Sequence, residues 1–435
     1  MLLIILRLFS KINRKIEKLF ESHTNDNILI ISPHINSFGA FNEDVFFSLL
    51  AAKIKKKKIL FLYPYSIFRK YFSNEELKSI ESEYIFKKKN FKVFLLHISY
   101  NFYFSFKLLQ KLIIKKYLKV ENKLIFYDTF IPMIGKRLIL NYLNKQKNIQ
   151  DEIKYFPQIN LRKDKKIICE TNLKNLGINL NDWYVCLHTR DINYPRNVSL
   201  NTYQKAINYI KERGGWVIRV GEEVNNELNN SNLINLHSTK YNNDLMNLHI
   251  IKNCKMFLGC GSGVNQCANL FGKKILASNL LDWSHAIPLR KGDSSLIKHY
   301  FNHQERRFLS LKEIFNNFFK YIYYSNYIPK NISIINNTEE EIFNLVKNGF
   351  NSFSYSKKQI EFQNLKKLKI SNELKNYDFA YWDPMDDYLK QIQINRIKIM
   401  SQGLGTIDNE FLEENWEYNR LNGNQEILKS LKTNY

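Results

Sequence analysis

Two arginine side chains stand at or near the ends of apolar runs, where they could bind the phosphates of a ligand. The run Tyr184–His188 is soon followed by Arg190, and the run Trp216–Val220 contains Arg219 and leads to Gly221. A guanidinium group offers a planar fork of N–H donors that suits a diphosphate. The histidine that ends the first run could donate to a phosphate or fix the loop, and the glycine would let the backbone turn sharply toward a ligand.

Each arginine also has a structural interpretation that involves no ligand. Arg190 could pair locally with Asp191, which follows it directly. Arg219 lies within an apolar run, where an unpaired charge is costly, so it needs either a ligand phosphate or an acidic partner such as Glu222 or Asp244. Because two arginines follow successive runs, the pattern favours the ligand.

A third apolar run, Met256–Gly259, leads into a loop of small residues, Gly261, Ser262 and Gly263. Glycines admit close approach of a ligand to the backbone, and a helix that follows would present free N–H groups to a phosphate. The loop is not a Walker loop, because no G-K-[ST] follows and Lys273 lies at the far end of the predicted helix. A plain tight turn is the alternative.

Three titratable residues in the first half, His34, Glu43 and Asp44, lie in the connection between a predicted strand and a predicted helix. They are candidates for the general base that activates an acceptor hydroxyl, and Asp191 is a further catalytic candidate. Glu43 and Asp44 could equally be first-turn carboxylates that stabilise the helix dipole.

The elements that must position these residues alternate between strands and helices, which predicts an α/β protein with a doubly wound parallel sheet. In the first half we predict strands at Asn27–Ser32, Lys58–Tyr63, Phe91–Leu96 and Lys123–Tyr127, and a helix at Glu43–Lys53. In the second half we predict strands at Tyr184–His188, Trp216–Val220, Met256–Gly259 and Lys274–Ala277, and helices at Leu200–Arg213, Asp244–Asn253 and Gly263–Phe271. Ligands bind at the carboxyl ends of such strands.

A chain of 435 residues exceeds one ordinary domain. We predict a helix over residues 1–22, Rossmann-like domains over 23–160 and 161–335, and a helical tail over 336–435 that packs across the domains. The polar stretch Asp151–Lys166 is the predicted connection, and a capping box of Thr338 and Glu341 marks a helix start in the tail.

The formal net charge of +24 favours nucleic acid, anionic lipid or phosphorylated substrates as partners. Its lysine runs, such as Lys55–Lys58 and Lys87–Lys89, fall in predicted loops, and no RNP-like motif or helix-turn-helix signal is present, which argues against nucleic acid. The five cysteines form no C-x-x-C pair and are predicted to be reduced thiols in the cytoplasm.

The N-terminal apolar run, Met1–Leu6, is too short to span a bilayer and lacks a cleavage site. Apolar residues recur at helical spacing opposite cations up to Leu19, which is typical of a helix lying on anionic lipid. A helix docked on its own domain fits the same pattern.

With these motifs in place, the chain from Tyr184 to Phe315 resembles a bacterial family of GT-B glycosyltransferases found with surface-polysaccharide genes. Its pattern is H-x-R-D, then G-x-x-V-I-R-x-G, an Asp before a helix, a Gly/Ser loop and a strand ending in Asn. The matching residues are His188, Arg190, Asp191, Gly215, Arg219, Gly221, Asp244, Gly261, Ser262, Gly263 and Asn279. The Phe38-Gly39 loop and the segment Thr406–Asn415 resemble that family too, so the likeness covers most of the chain.

A more distant likeness is to fucosyltransferases that use an H-x-R motif, although Asp191 stands where several of them have a second arginine. The resemblance implies two Rossmann-like domains that face a cleft, with the nucleotide-sugar donor bound by the C-terminal domain and a glycan or lipid-linked acceptor by the N-terminal one. It implies no cofactor and no essential metal. Location on the inner face of the cytoplasmic membrane follows as an expectation. A sugar-nucleotide epimerase or a pyruvyltransferase is the enzymatic alternative, and a basic nucleic-acid-binding protein is the alternative outside the enzymes.

Overall fold

The structure is a computed structural model, and it contains two compact units, Met1–Lys165 with Ser371–Ile399, and Lys166–Ile370 with Met400–Tyr435. We refer to them as the first and the second unit. The residues that it describes are 2–25, 27–34, 38–64, 79–87, 90–118, 133–146, 149–154, 156, 159–190, 194–221, 232–281, 288–317, 328–373 and 387–432.

The described helices and strands are numbered in chain order. The helices are α1 (Leu2–Ser22), α2 (Phe38–Lys55), α3 (Phe91–Leu118), α4 (Lys136–Asn144), α5 (Ile149–Lys154), α6 (Lys163–Asn175), α7 (Gln204–Glu212), α8 (Asp244–Asn253), α9 (Asn265–Leu270), α10 (Leu311–Asn317), α11 (Glu339–Gly349), α12 (Lys357–Glu373), α13 (Asp387–Ser401), α14 (Asn409–Asn415) and α15 (Gln425–Lys432). The strands are β1 (Ile28–Ile31), β2 (Lys58–Phe61), β3 (Ile80–Glu81), β4 (Asn160–Leu161), β5 (Tyr184–His188), β6 (Trp216–Arg219), β7 (Leu233–Asn235), β8 (Met256–Gly259), β9 (Ile275–Leu280), β10 (Ser294–Ile297), β11 (His299–Asn302), β12 (Arg307–Phe308), β13 (Ile332–Ile335) and β14 (Thr406–Ile407).

The second unit is built on a seven-stranded parallel sheet in the order β7-β6-β5-β8-β9-β10-β14. Strands β6 and β7 extend to one side of β5, and β8, β9, β10 and β14 follow on its other side. This is the Rossmann strand order, in which the direction of winding reverses between the first and the fourth strand. The reversal lies between β5 and β8, and the predicted α/β class with a doubly wound sheet is confirmed.

The central strands are buried along their whole length. Every residue of β5, β8 and β9 is buried, as expected when helices cover both faces of a parallel sheet. On one face α7 packs against α11, where Tyr209 meets Phe343 edge to face. The capping box of Thr338 and Glu341 at the start of α11 is confirmed. A small antiparallel sheet, β12-β11-β13, completes the strands of this unit.

Several predicted bounds in this unit need small corrections. The predicted helix Leu200–Arg213 is a 3₁₀ turn, Leu200–Tyr203, followed by α7. Strand β9 extends beyond the predicted end at Ala277, and α9 is shorter than predicted, with six residues. Strand β8 and helix α8 have the predicted bounds.

The first unit contains the parallel pair β1 and β2, around which helices pack. The predicted strand Phe91–Leu96 is wrong, because this run begins the 28-residue helix α3. A run of six residues with five apolar ones fits a strand and a buried helix equally, and here the pattern continues with Tyr100 and Phe104 buried at helical spacing. Helix α2 begins at Phe38, five residues before the predicted start. The predicted strand Lys123–Tyr127 lies outside the described residues.

Helix α1 is docked on the first unit by its second half. The Glu17 carboxylate is buried and accepts hydrogen bonds from Tyr103 Oη at 2.8 Å and Lys107 Nζ at 3.0 Å. Asn13 and Gln110 exchange side-chain hydrogen bonds, and the Phe20 ring lies in the core. The docked-helix interpretation therefore describes this part of α1.

The predicted tail and connection are divided among the folded elements. Strand β14 pairs with β10 at the edge of the large sheet, whereas most of α13 belongs to the first unit. The stretch Asp151–Lys166 contains most of α5, all of β4 and the start of α6. Among the helices that the structure describes, none is long and apolar enough to cross a membrane.

Candidate functional site

The winding reversal brings two predicted motifs together at one edge of the large sheet. His188, the last residue of β5, is the register partner of Gly259, the last residue of β8. The Gly259–Gly263 loop leaves this edge beside the segment Thr189–Arg190, and the Cys260 N–H donates to the His188 carbonyl at 3.1 Å. Ligands of Rossmann-like folds bind at this reversal point, outside the carboxyl ends of the strands.

The His188 ring is buried and held in one orientation. Its Nδ1–H donates to the Val220 carbonyl at 3.1 Å, and its Nε2 is buried without a hydrogen-bond partner among the described residues. The pKa of His188 is lowered to about 4, chiefly by burial. Three positive charges act in the same direction, those of Arg219, Arg190 and Arg196. The ring is thus neutral at pH 7 in the unliganded protein, with Nδ1–H as its donor and the bare Nε2 as an acceptor.

Gly221 makes room for this ring. Its φ is +104°, a conformation that favours glycine, and a Cβ atom there would lie 2.8 Å from His188 Nδ1. The glycine after β6 is therefore needed for the position of the histidine at the end of β5.

Arg219 is fully buried beneath the strand ends. Its Nε donates to Thr189 Oγ1 at 3.0 Å, and its Nη1 donates to Asn235 Oδ1 at 3.0 Å. Of its predicted acidic partners, Glu222 lies outside the described residues, and Asp244 occupies the first turn of α8. The buried guanidinium thus supports the loop after β5 and adds positive charge to this edge of the sheet.

Arg196 is a residue of this region that the sequence did not identify. Like the charge of Arg190, its positive charge acts to lower the pKa of His188 and of the Cys260 thiol. Its loop is anchored by the buried ammonium of Lys298, which donates to the carbonyl oxygens of Pro195 at 2.8 Å and Asn197 at 2.7 Å.

Burial lowers the pKa of Lys298 to about 7. A lysine so deeply buried is rare unless it is paired, and the two carbonyl acceptors satisfy it here. The sequence did contain a signal for this residue. Arg196 follows Arg190 by six positions, and a second cation so close in the chain adds positive charge to the same strand end.

The glycine loop supplies backbone donors. Among the described residues, nothing accepts from the backbone N–H groups of Gly261, Ser262 or Gly263. Ser262 Oγ accepts weakly from the Val264 N–H at 3.4 Å, which shapes the turn. Successive unpaired N–H groups form an anion-binding concavity, and here they belong to the loop itself, because α9 is only a short helix.

Asn265, the first residue of α9, carries a second buried acceptor without a partner. Its Oδ1 makes no hydrogen bond to any described residue. A Cβ atom at Gly259 would lie 3.0 Å from this oxygen and 2.5 Å from the Phe257 ring, which explains the glycine. Since His188 and Gly259 are register partners, both unpartnered acceptors lie at the reversal point.

The predicted site residue Asn279 has a structural position. It has a φ of +56°, and its backbone N–H and side-chain Oδ1 pair reciprocally with the side chain and backbone of Asn337, at 2.7 and 2.8 Å. Its amide also donates to Tyr203 Oη at 3.4 Å. The fully engaged amide holds the end of β9 in place, and the backbone carbonyl lies near Gly261.

Two of the three predicted catalytic residues of the first unit, Glu43 and Asp44, lie in ion pairs. Asp44 accepts from the His34 N–H at 2.9 Å and pairs with Lys136 at 2.7 Å. Both carboxylate oxygens of Glu43 pair with Arg396, and the Nη2–Oε2 distance is 2.7 Å. Because α2 begins at Phe38, neither acid is in its first turn, so the helix-dipole alternative is wrong. Asp191 lies outside the described residues.

Comparison with known proteins gives similarity to solved structures alone: no family model matches the chain, and no curated protein matches it. The crystal structure of the glycosyl transferase family 9 from Veillonella parvula DSM 2008 is 10% identical, with a TM-score of 0.34, over 58% of this chain and 80% of that chain. E. coli ADP-heptose lps heptosyltransferase II is 12% identical, with a TM-score of 0.34, over 58% of this chain and 84% of that chain.

Proposed function

We propose that this protein is a GT-B glycosyltransferase that transfers a sugar from a nucleotide-sugar donor to a cell-surface glycan or a lipid-linked acceptor. One observation carries the proposal: positive charge and unpaired backbone donors converge at the winding reversal of a Rossmann sheet. That convergence suits a diphosphate, the group that joins nucleotide and sugar in such donors.

The role of each arginine at the donor site follows from how deeply its side chain is buried. Arg190 and Arg196, both partly exposed, bind the diphosphate, and the N–H groups of Gly261, Ser262 and Gly263 donate to its oxygens. Arg219 acts from beneath by holding Thr189 and by its charge. These groups stabilise the negative charge that develops on the leaving nucleotide as the glycosidic bond breaks.

His188 and Asn265 give the site acceptors as well as donors. A neutral His188 with its Nδ1–H bound to Val220 accepts a hydrogen bond at Nε2, and Asn265 Oδ1 accepts another. Hydroxyl groups of the ribose or of the transferred sugar are the ligand groups that satisfy such acceptors.

The acceptor hydroxyl is activated by a base, and the ion pairs of Glu43 and Asp44 disfavour both for this role. A carboxylate that is held by a cation of the protein must leave this partner before it can take a proton from an acceptor hydroxyl. His34 and Asp191 therefore become the leading candidates. We place the reaction on the cytoplasmic side, where the acceptor meets the inner membrane face.

A thermal-shift screen tests this function. The full-length protein is heated with GDP, UDP, CMP, ADP or TDP, and separately with duplex DNA. A ligand that binds only the folded state raises the melting temperature, so at least one nucleotide is expected to raise it and DNA is not. A response to DNA with none to the nucleotides would instead support a nucleic-acid-binding protein.

A further inference from the structure

Helix α3 has a second apolar face that the fold leaves exposed. Seven large apolar side chains form it, and we call them the α3 stripe: Phe91, Phe94, Leu95, Phe102, Phe106, Leu109 and Leu112. At 100° per residue they fall within a sector of about 120°. Phe91 and Phe102 are the most exposed, at 74% and 75%.

The fold does not need the α3 stripe. The opposite face of the helix fills the core of the first unit with Leu96, Tyr100 and Phe104, and α1 is attached through Glu17–Lys107. Soluble proteins seldom expose a continuous row of large apolar residues, and such a row marks a surface that binds something.

The charge around α3 identifies what the stripe meets. Residues 84–120 contain nine lysines and neither Asp nor Glu. In the sequence they cluster toward the two ends of the helix, in Lys87–Lys92 and Lys111–Lys119. Lys88, Lys89 and Lys119 lie outside the described residues, and of the others Lys87 is described in an ion pair with Glu81 and Lys107 in one with Glu17. Binding to a membrane interface increases with the apolar area that enters it and with electrostatic attraction to anionic lipid, and α3 combines exposed apolar side chains with nearby lysines.

Helix α1 adds to the same charge. Its exposed side carries Lys11, Lys15 and Lys18, opposite the residues that dock it on α3. Each basic residue close to an anionic surface contributes about 1 kcal/mol to membrane binding. The sequence pointed to α1 as the membrane helix. Among the side chains that the structure describes, α1 exposes Leu8 and Leu19, whereas α3 exposes the seven of the α3 stripe.

We infer that the α3 stripe docks this protein on an anionic membrane surface, with its phenylalanine and leucine side chains at the headgroup boundary and the flanking lysines on the lipid phosphates. The inference goes beyond the proposed reaction and holds whichever nucleotide the second unit binds. A lipid-linked acceptor would be met at this same surface.

Vesicle co-sedimentation of the full-length protein tests the inference. The vesicles are phosphatidylcholine alone or phosphatidylcholine mixed with phosphatidylglycerol. Phe91→Ser combined with Phe102→Ser should reduce partitioning onto the mixed vesicles by at least about tenfold, the value of one fully buried phenylalanine. Leu109→Ser with Leu112→Ser should act likewise from the other end of the α3 stripe.

The matched control is Ile360→Ser with Leu368→Ser, which removes two comparably exposed apolar side chains from α12 in the second unit. This control variant should partition like the unaltered protein. Added salt should weaken the binding of both proteins to the anionic vesicles, because part of that binding is the attraction of lysines to the lipid phosphates. Nucleotide thermal shifts, measured in parallel, report on the second unit independently. Unaltered partitioning of both α3 variants, an equal loss in the α12 control, or no preference for the anionic vesicles would overturn the inference.

Discussion

Polar groups at the carboxyl ends of strands serve opposite purposes in the two units. After β1, the acids Glu43 and Asp44 are matched by Arg396 and Lys136, so that each charge has its partner within the protein. After β5 and β8 the described groups are mostly cations and unpaired donors or acceptors. Like charges that gather at one place repel each other, and an anionic ligand that binds among them lowers this repulsion.

The difference teaches how to separate structural from ligand-binding polar groups. A buried group whose partners are all in the protein contributes to the stability of the fold, and its removal leaves a charge uncompensated. A buried group without a partner, such as Nε2 of His188, points to a partner that comes with the ligand. Removing a matched charge in the first unit should therefore change stability, whereas removing a group that contacts the ligand in the second unit should change binding.

The largest effect is expected from Asp44→Ala. The substitution removes the carboxylate that pairs with the Lys136 ammonium, which is 13% exposed, and that accepts from the His34 N–H. Breaking such a pair should cost about 3 kcal/mol of unfolding free energy. Urea unfolding followed by circular dichroism measures it.

Asp164→Ala is the matched control, because this exposed acid pairs with Arg162 in the same unit and its loss should not change stability measurably. Nucleotide affinity should be unchanged in both variants. A stable Asp44→Ala protein that cannot transfer sugar would instead identify Asp44 as the base.

Gly221→Ala should destabilise by about 2 kcal/mol more than Gly214→Ala, because an added methyl group must displace the His188 ring. Both glycines have positive φ, at +104° and +77°, but nothing lies within 4 Å of a Cβ at Gly214. The Gly214→Ala control thus has the backbone strain of a positive φ but not the clash with a neighbouring side chain. Thermal unfolding and nucleotide titration of the pair make the comparison. If the two variants had equal stability and equal nucleotide affinity, the position of the His188 ring would matter neither for the fold nor for the nucleotide site.

The pH dependence of stability isolates His188 further. Its pKa is lowered from 6.5 to about 4 in the folded protein, so the unfolded state binds the proton more tightly. The contribution is fully present above pH 6.5 and is lost as the pH falls toward 4. At pH 5 the loss should be about 2 kcal/mol.

The His188→Gln variant should lack this loss, while His249, whose pKa burial also lowers to about 4, remains in both proteins as an internal reference. Urea titrations at pH 7 and pH 5 give the difference. Parallel pH profiles of the two proteins would show that His188 is not held neutral by its surroundings.

Local sequence patterns predicted the second unit better than the first. Strands β5 and β8 are short apolar runs that end at His188 and Gly259, and their bounds follow from residue type alone. The start of α3 could not be separated from a strand, because its apolar residues face both the core and the exterior. The Asp44–Lys136 and Glu43–Arg396 pairs join residues that are 92 and 353 positions apart, and no local pattern encodes such pairs.

The smallest expected effect is that of metal removal. In the proposed reaction, cationic side chains and backbone N–H groups neutralise the leaving diphosphate, whereas hard divalent cations prefer clustered carboxylates. Among the described residues no group of three metal-ligating side chains comes together, while Asp191 lies outside them. Initial rates of nucleotide release in EDTA, Mg²⁺ and Mn²⁺ should agree closely. Abolition by EDTA with recovery in either ion would make Asp191 the first candidate ligand.

Isothermal titration of nucleoside diphosphates into the Arg190 variants tests the donor site most directly. Arg190→Lys keeps the charge but loses the planar fork, which should weaken affinity about tenfold, the value of one charge-assisted hydrogen bond. Arg190→Ala should weaken it further. Arg213→Lys is the control, because this arginine precedes β6 at the opposite edge of the sheet and stacks on Tyr209. A loss confined to the Arg190 variants is the predicted result, and the same affinity in the unaltered protein, Arg190→Lys and Arg190→Ala would contradict it.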